Sequence, residues 1–141
     1  MSSLNPMTHD AGKASTPRRL TDVLFAALEI TRPHNCTLVF GSVLLGGWLG
    51  VHSLPPPLLL AALSAGLVAA GGYAFNDLWD IATDRLNKPG RPLPSERLPI
   101  WLARTIAFGL TGLGIGLALI LPATCRGIIL AAVLGLLLYN R

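Results

Sequence analysis

The sequence predicts an all-α, polytopic membrane helix bundle with four transmembrane helices, and three observations carry this prediction. Hydrophobic residues make up 52% of the 141 residues and charged residues only 13%, about half the charged share of a typical soluble domain. Four apolar runs each approach the ~20 residues that cross a bilayer. The basic residues gather at one end of these runs. Together these features exclude a soluble enzyme, a disordered chain and a disulfide-stabilised secreted domain.

The elements follow in order along the chain. Residues 1–19 are polar and are expected to form a flexible cytoplasmic tail. Apolar residues then recur at helical spacing over residues 20–31, which predicts either an amphipathic interfacial helix or the polar start of the first span. Residues 20–141 form the predicted membrane domain, with a polar cytoplasmic loop at 76–99 and four spans at about 34–52, 58–75, 100–121 and 123–139. Small residues four apart, such as Gly112 and Gly116, predict close helix contacts.

The distribution of basic residues predicts the orientation in the membrane. With four spans, ten of the 11 lysines and arginines fall on one side, and Arg126 is the exception. Basic residues favour the cytoplasmic side of a membrane. The N-terminus and the loop at 76–99 are therefore expected in the cytoplasm. No basic run interleaved with aromatic residues indicates a nucleic-acid partner.

The segment after the second span carries the residues with chemical potential. On a continuing helix, Asp77, Asp80 and Asp84 occupy an arc of about 60°, and Asn76 widens it to about 100°. Like charges on one helical face repel one another. A divalent cation with a preference for oxygen ligands would offset that repulsion, which predicts a Mg²⁺ or Ca²⁺ site.

The residues that follow suit a phosphate-bearing partner. Four basic side chains lie within 13 positions of Asp84 and could bind diphosphate oxygens beside the cation: Arg85, Lys88, Arg91 and Arg97. Proline and glycine interrupt this stretch repeatedly, at Pro89, Gly90, Pro92 and Pro94. They predict an ordered turn that folds these cations back over the carboxylates.

This segment resembles a motif of the UbiA-type intramembrane prenyltransferases, N-D-x-x-D-x-x-x-D followed by N-K-P-x-R-P-L-P-S. A second similarity is Arg32-Pro33-His34-Asn35 at the head of the first span, where the family often has R-P-x-N. The sequence departs from the family pattern at Glu96, where glycine is usual. The resemblance covers residues 20–141 but only the N-terminal half of a typical member.

The resemblance implies a Mg²⁺-dependent transferase that moves a prenyl group from an isoprenoid diphosphate to a hydrophobic acceptor, aromatic or lipid, within the bilayer. It implies that Asp77, Asp80 and Asp84 are the metal ligands and catalytic residues. The residues it implies for substrate binding are Asn76, Lys88, Arg91, Arg32 and Asn35. Members carry a second aspartate-rich motif, whereas residues 97–141 contain no Asp, Glu or His. The chain is therefore expected to be a fragment, to lack a C-terminal half and to be inactive alone.

Two other hypotheses remain at this stage. One is a non-catalytic four-helix membrane protein, either a degenerate relative or a scaffold, which would keep the fold and lose metal dependence. The other is a CDP-alcohol phosphotransferase, although the D-G-x-x-A-R element of that class is missing. The acceptor and the prenyl chain length stay open, and the R-P-H-N sequence leans towards the glycerol-lipid branch of the family.

Cysteine labelling tests the predicted topology. In a variant that lacks Cys36 and Cys125, a cysteine introduced at position 95 should react with a membrane-impermeant reagent only from the cytoplasmic side, because the basic residues hold this loop there. Cysteines within residues 52–57 and 121–125 should react only from the opposite side and serve as controls. Labelling of position 95 from the outer side would contradict the topology.

Overall fold

The computed structural model describes residues 19–139 and shows six helices, with no strand in that range. The helices are α1 (Leu20–Thr31), α2 (Pro33–Val51), α3 (Pro56–Trp79), α4 (Ile81–Asn87), α5 (Ile100–Leu119) and α6 (Ala123–Tyr139). The predicted all-α class is confirmed. The tail predicted for residues 1–19 lies outside the described residues, apart from Arg19.

Four helices correspond to the predicted spans, with ends shifted by at most four residues. Three of them, α2, α3 and α5, are long and apolar enough to cross a membrane. The fourth, α6, is an apolar helix of 17 residues, about 26 Å long at 1.5 Å per residue, which is at the short end for a span.

A break at Arg32 separates α1 from the first span. Arg32 adopts a left-handed conformation with φ 48°, and Pro33 is the first residue of α2. Proline has no N–H to continue a preceding helix and suits the first helical position. Of the two sequence-based interpretations of residues 20–31, the structure therefore favours a separate helix. Its Ala26 and Ile30 are fully buried in the bundle.

The central helix is α3, which packs against the other five helices and most extensively against α5. The two backbones approach closely at Gly114 of α5, whose carbonyl oxygen accepts a hydrogen bond of 2.7 Å from Ser64 Oγ. A Cβ atom at Gly114 would lie 3.0 Å from the Ser64 carbonyl oxygen. The close contact predicted at Gly112 and Gly116 is wrong, because both face open space within the described structure.

The polar loop between α4 and α5 is folded onto the bundle. Leu93 and Leu98 are 4% and 2% exposed and join Ile30 of α1 and Ala103 of α5 in one apolar cluster. The Leu98 N–H donates to the Pro92 carbonyl oxygen at 3.1 Å and closes the turn. The ordered turn that the sequence predicted thus depends on two buried leucines as well as on the prolines.

Two glycines of α5 provide a matched test of the packing between α3 and α5. Gly114→Ala should lower the free energy of unfolding by about 1–3 kcal/mol, because the added methyl group overpacks the helix crossing. Gly112→Ala adds the same methyl group where no atom lies within 4 Å, and should not destabilise the protein. Thermal unfolding in detergent measures both variants, and an equal loss in the two would contradict the packing described here.

Candidate functional site

The chain bends at Asp80, where α3 ends. Asp77 therefore belongs to α3 and Asp84 to α4. Trp79 is the last residue of α3, and Asp80 leaves helical geometry with φ −88° and ψ 7° before α4 begins. The backbone hydrogen bonds from Asp80 to Asn76 and from Asp84 to Asp80 persist at 3.0 and 2.7 Å. The prediction of one uninterrupted helix through all three carboxylates is therefore wrong, although Asp77 and Asp84 still face the same side.

Asp77 and Asp84 form the centre of the site, and both are 5% exposed. Arg91 from the loop bridges them: its Nη1 forms a close ion pair with Asp84 and lies 3.4 Å from Asp77 Oδ1. Arg32 Nη2 donates to the same Asp77 oxygen at 2.6 Å. Two carboxylates and two guanidinium groups thus balance in charge at the cytoplasmic end predicted for the bundle.

The electrostatics of Arg91 follow from this arrangement. Burial acts to lower its pKa, but the hydrogen bond to Asp84 and the negative charges of Asp77, Asp84 and Asp80 outweigh that effect and raise the pKa. Arginine is already charged at neutral pH, and these contacts favour the charged form of Arg91 further. It acts as a fixed counter-ion for the two buried carboxylates.

Asp80 lies apart from this centre. Its Oδ2 accepts a hydrogen bond of 2.9 Å from Asn76 Nδ2, one helical turn earlier. Asp80 forms no ion pair with an arginine or lysine in the described part of the chain. The structure thus brings Asp77 and Asp84 together and pairs Asp80 with Asn76 beside them.

An apolar cavity of about 780 Å³ opens next to the charged centre, within the size range of ligand pockets. Arg32, Tyr73 and Asn76 line its polar end. Arg32 also lies over the Tyr73 ring, 5.2 Å from its centroid, a cation–π contact that helps hold the guanidinium in place. The remainder of the wall is almost wholly apolar and comes from α2, α3 and α6, with side chains such as Val39, Val43, Val68, Ile128, Ile129 and Leu136.

Tyr73 is a site residue that the sequence analysis did not assign. It precedes Asp77 by four residues, one helical turn, so it lies on the same stripe of α3. That spacing is the signal that could have identified it.

The remaining predicted residues take different positions. Lys88 directly follows α4 and is exposed, and Asn35 is half-buried in the first turn of α2. Neither donates a side-chain hydrogen bond to another residue between 19 and 139. Arg97 turns away from the carboxylates and pairs with Glu29 of α1 at 2.9 Å, so the prediction that the turn folds Arg97 back over the carboxylates is wrong.

Glu96 explains why glycine is usual at this position in the family pattern. Its φ is 58°, in the left-handed region, which costs an L-residue about 1–2 kcal/mol and glycine almost nothing. The turn keeps the geometry that glycine favours, since the Glu96 N–H donates to the Leu93 carbonyl oxygen at 3.1 Å. Glu96 thus adopts the left-handed conformation that glycine favours.

The donor atoms at the centre were compared with what Mg²⁺ requires. Within residues 19–139, no three carboxylate, histidine or cysteine side chains converge into a complete cage. Mg²⁺ commonly binds through one or two carboxylates plus substrate phosphates and water. Asp77 and Asp84, two buried oxygen donors beside an anion-binding arginine, fit that mode of binding.

The fold and the site define a class of protein: a helical membrane protein with a carboxylate–arginine centre at the polar end of an apolar cavity. Residues 39–141 match the UbiA prenyltransferase family, and the chain belongs to this family, as the motif predicted. No solved structure matches the chain.

Several relatives share one name, digeranylgeranylglyceryl phosphate synthase. The protein from Methanopyrus kandleri is 38% identical over 114 residues, which are 81% of this chain and 41% of that protein. The protein from Sulfurisphaera tokodaii is 39% identical over 121 residues, 82% of this chain and 42% of that protein. The chain therefore spans about two fifths of the length of these curated relatives.

Substitutions at Glu96 test the cost of its backbone conformation. Glu96→Gly should raise the free energy of unfolding by about 1 kcal/mol, because glycine adopts the left-handed region without a steric penalty. Glu96→Ala removes the same carboxylate but retains Cβ, so it should leave stability near that of the unsubstituted protein. The two variants can be compared by thermal unfolding in detergent. A gain of equal size in Glu96→Ala would assign the effect to charge and not to the backbone.

Proposed function

We propose that the protein serves Mg²⁺-dependent transfer of a prenyl group from an isoprenoid diphosphate to a hydrophobic acceptor. The observation that carries this proposal is that Arg32, which pairs with Asp77 of the Asp77–Arg91–Asp84 centre, lines the polar end of an apolar cavity of about 780 Å³. A prenyl diphosphate likewise combines a charged diphosphate head with an apolar hydrocarbon tail. Membership of the UbiA prenyltransferase family supports the same chemistry.

Each residue has a part in this proposal. Arg91 and Arg32 bind diphosphate oxygens, since guanidinium groups match such oxygens in charge and geometry. Asp77 and Asp84 would hold a Mg²⁺ ion, with Asp80 and Asn76 beside them, and Lys88 and Asn35 would bind the substrate at the margin of the site. When bound, Mg²⁺ stabilises negative charge on the leaving diphosphate.

The cavity has two tasks in the reaction. Its apolar wall binds the prenyl chain and keeps water away from the carbon that loses the diphosphate. As the C–O bond to the diphosphate breaks, the electron pair leaves with the oxygen, and an acceptor oxygen or carbon forms the new bond and gives up a proton. We place the diphosphate end and this carbon beside Arg32 and Tyr73, which line the polar end of the cavity.

The acceptor we propose is a glycerol phosphate lipid. The relatives named above are digeranylgeranylglyceryl phosphate synthases, and such an acceptor reaches the cavity from the membrane. The asymmetry of basic residues supports a cytoplasmic position for the charged centre. Because the chain spans about two fifths of its relatives and residues 97–141 lack acidic side chains, we expect the 141-residue chain to bind the diphosphate without turnover of its own.

Calorimetric binding in detergent tests the proposal, with inorganic diphosphate and geranylgeranyl diphosphate as ligands. With Mg²⁺ present, Asp77→Asn and Asp84→Asn should each weaken binding at least about tenfold, equivalent to about 1.4 kcal/mol. Asp80→Asn should have a smaller effect, because Asp80 forms no ion pair with either arginine within residues 19–139. Omitting Mg²⁺ should weaken binding to the unsubstituted protein.

Glu96→Gln is the matched control, since it removes a carboxylate of the same loop that faces solvent. It should bind both ligands as the unsubstituted protein does. A loss equal to that of the aspartate variants would contradict the ligand assignment. Binding without any dependence on Mg²⁺ or on these aspartates would instead favour the non-catalytic membrane protein.

A further inference from the structure

Helix α1 presents three distinct faces. Val23, Ala26 and Ile30 pack against the bundle. Charged Asp22 and Glu29 share a second face. The third face is apolar and exposed in the described structure, with Leu20 at 75%, Leu24 at 56%, Phe25 at 70% and Leu28 at 59%. Four large apolar side chains on a single short helix form a patch of the kind that marks a contact with a partner or a membrane.

This apolar face continues into the surface of the membrane spans. A groove of about 920 Å³ runs from Leu24 and Leu28 of α1 across Phe40 of α2 and Leu67 of α3 to Leu110 of α5. The helices α2, α3 and α5 are those long and apolar enough to cross a membrane, so their outer surfaces contact lipid chains. The exposed face of α1 is continuous with those surfaces, and the same hydrocarbon can therefore cover it.

The geometry of the chain keeps α1 out of the spans themselves. The left-handed Arg32 ends α1, and α2 starts at Pro33. A helix with one apolar face, one charged face and a break before the first span is the pattern of a helix that lies in the membrane interface.

The charged face of α1 contacts the loop that carries Arg91. Arg97 binds both oxygens of Glu29, with Nη1 2.9 Å from Oε2 and Nη2 3.2 Å from Oε1. The same guanidinium donates to the Gly90 carbonyl oxygen at 2.6 Å and to Ser95 Oγ at 3.1 Å. The Arg97 side chain thus connects α1 to Gly90 and Ser95 of the loop, and Arg91 lies between these two residues.

We propose that α1 is an interfacial helix whose apolar face lies among lipid acyl chains. In this arrangement the Glu29–Arg97 ion pair links the loop bearing Arg91 to α1 and so holds that loop in position. Arg97 is a positioning residue in this arrangement, since its guanidinium is directed at Glu29 and the loop backbone and away from Asp77 and Asp84. The effect on diphosphate binding rests on the function proposed above, whereas the lipid contact and the loop coupling do not.

The lipid contact is tested by spin labels on the full chain in phosphatidylcholine vesicles. Cys36 and Cys125 are replaced by serine, and single labels are introduced as Leu24→Cys, Leu28→Cys and, on the charged face, Asp22→Cys. Labels at positions 24 and 28 should collide more with oxygen, which concentrates in the bilayer, than with a water-soluble nickel chelate. The label at position 22 should show the reverse. Equal access of the chelate to all three positions would overturn the lipid contact.

The coupling is tested by charge reversal. Glu29→Arg and Arg97→Glu should each increase hydrogen exchange of the amides in residues 88–99, and each should weaken inorganic diphosphate binding in Mg²⁺ about two- to fivefold, the range expected for one exposed ion pair. The double variant restores the ion pair with opposite sign but not the donation to the Gly90 carbonyl oxygen, so it should return both measurements part of the way to those of the unsubstituted protein. Glu29→Gln and Arg97→Gln, which are milder, serve if a reversal impairs folding.

The outcomes separate the alternatives. If Arg97 bound phosphate directly, Arg97→Glu would lose binding, Glu29→Arg would not, and the double variant would show no rescue, which would overturn the positioning role. Unchanged hydrogen exchange in both single variants would overturn the coupling. A third outcome is that the single variants lose exchange protection and the double variant regains it, but no form binds diphosphate. That result would refute the proposed function and leave the coupling intact.

Discussion

Two carboxylates buried at the end of a membrane helix need compensating charge, and the rest of the structure depends on how that charge is supplied. Asp77 and Asp84 are almost inaccessible to solvent, and an unpaired buried charge costs several kcal/mol. Neither α3 nor α4 offers a cation that reaches both. The two arginines come from elsewhere in the chain: Arg91 from the loop after α4, and Arg32 from the junction of α1 and α2. Three separate segments must therefore fold together before the carboxylates are neutralised.

The same pairing has a consequence for the function that we propose. Arg91 and Arg32 are both the counter-ions of the carboxylates and the groups proposed to bind diphosphate oxygens. A diphosphate that drew the arginines away would leave Asp77 and Asp84 unbalanced unless a cation replaced that charge. A divalent cation alone would in turn meet two arginines already in place. Charge balance therefore favours joint binding of the cation and the diphosphate over either one alone.

The features that the sequence predicted correctly are those that depend on the spacing of nearby residues. The span positions followed from hydropathy, and the shared face of Asp77 and Asp84 followed from helical period, because seven residues make nearly two turns. The bend at Asp80 lies outside that pattern, because helical spacing assigns residues to faces but does not fix the residue at which a helix ends. The partner of Arg97 is Glu29, 68 residues earlier, and no spacing rule reports a contact of that range. The sequence likewise does not distinguish Gly112 from Gly114, because only the position of α3 in the folded protein shows that Gly114 lies at the helix contact.

The charged centre is more tightly packed than the cavity wall, and this difference suits the role that we propose for each. Helix α3 buries eight residues, including Gly71, Ala74 and Asp77 around the charged end, while α2, every residue of which the structure describes, buries none. The charged end must hold side chains at fixed distances, because misplaced charges bind and react poorly. In the function that we propose, the cavity wall formed by α2 and α6 has only to stay apolar and to exclude water around a flexible hydrocarbon chain. Loose packing on that side costs little precision at the carboxylates, and it leaves the wall able to adjust to chains of different length.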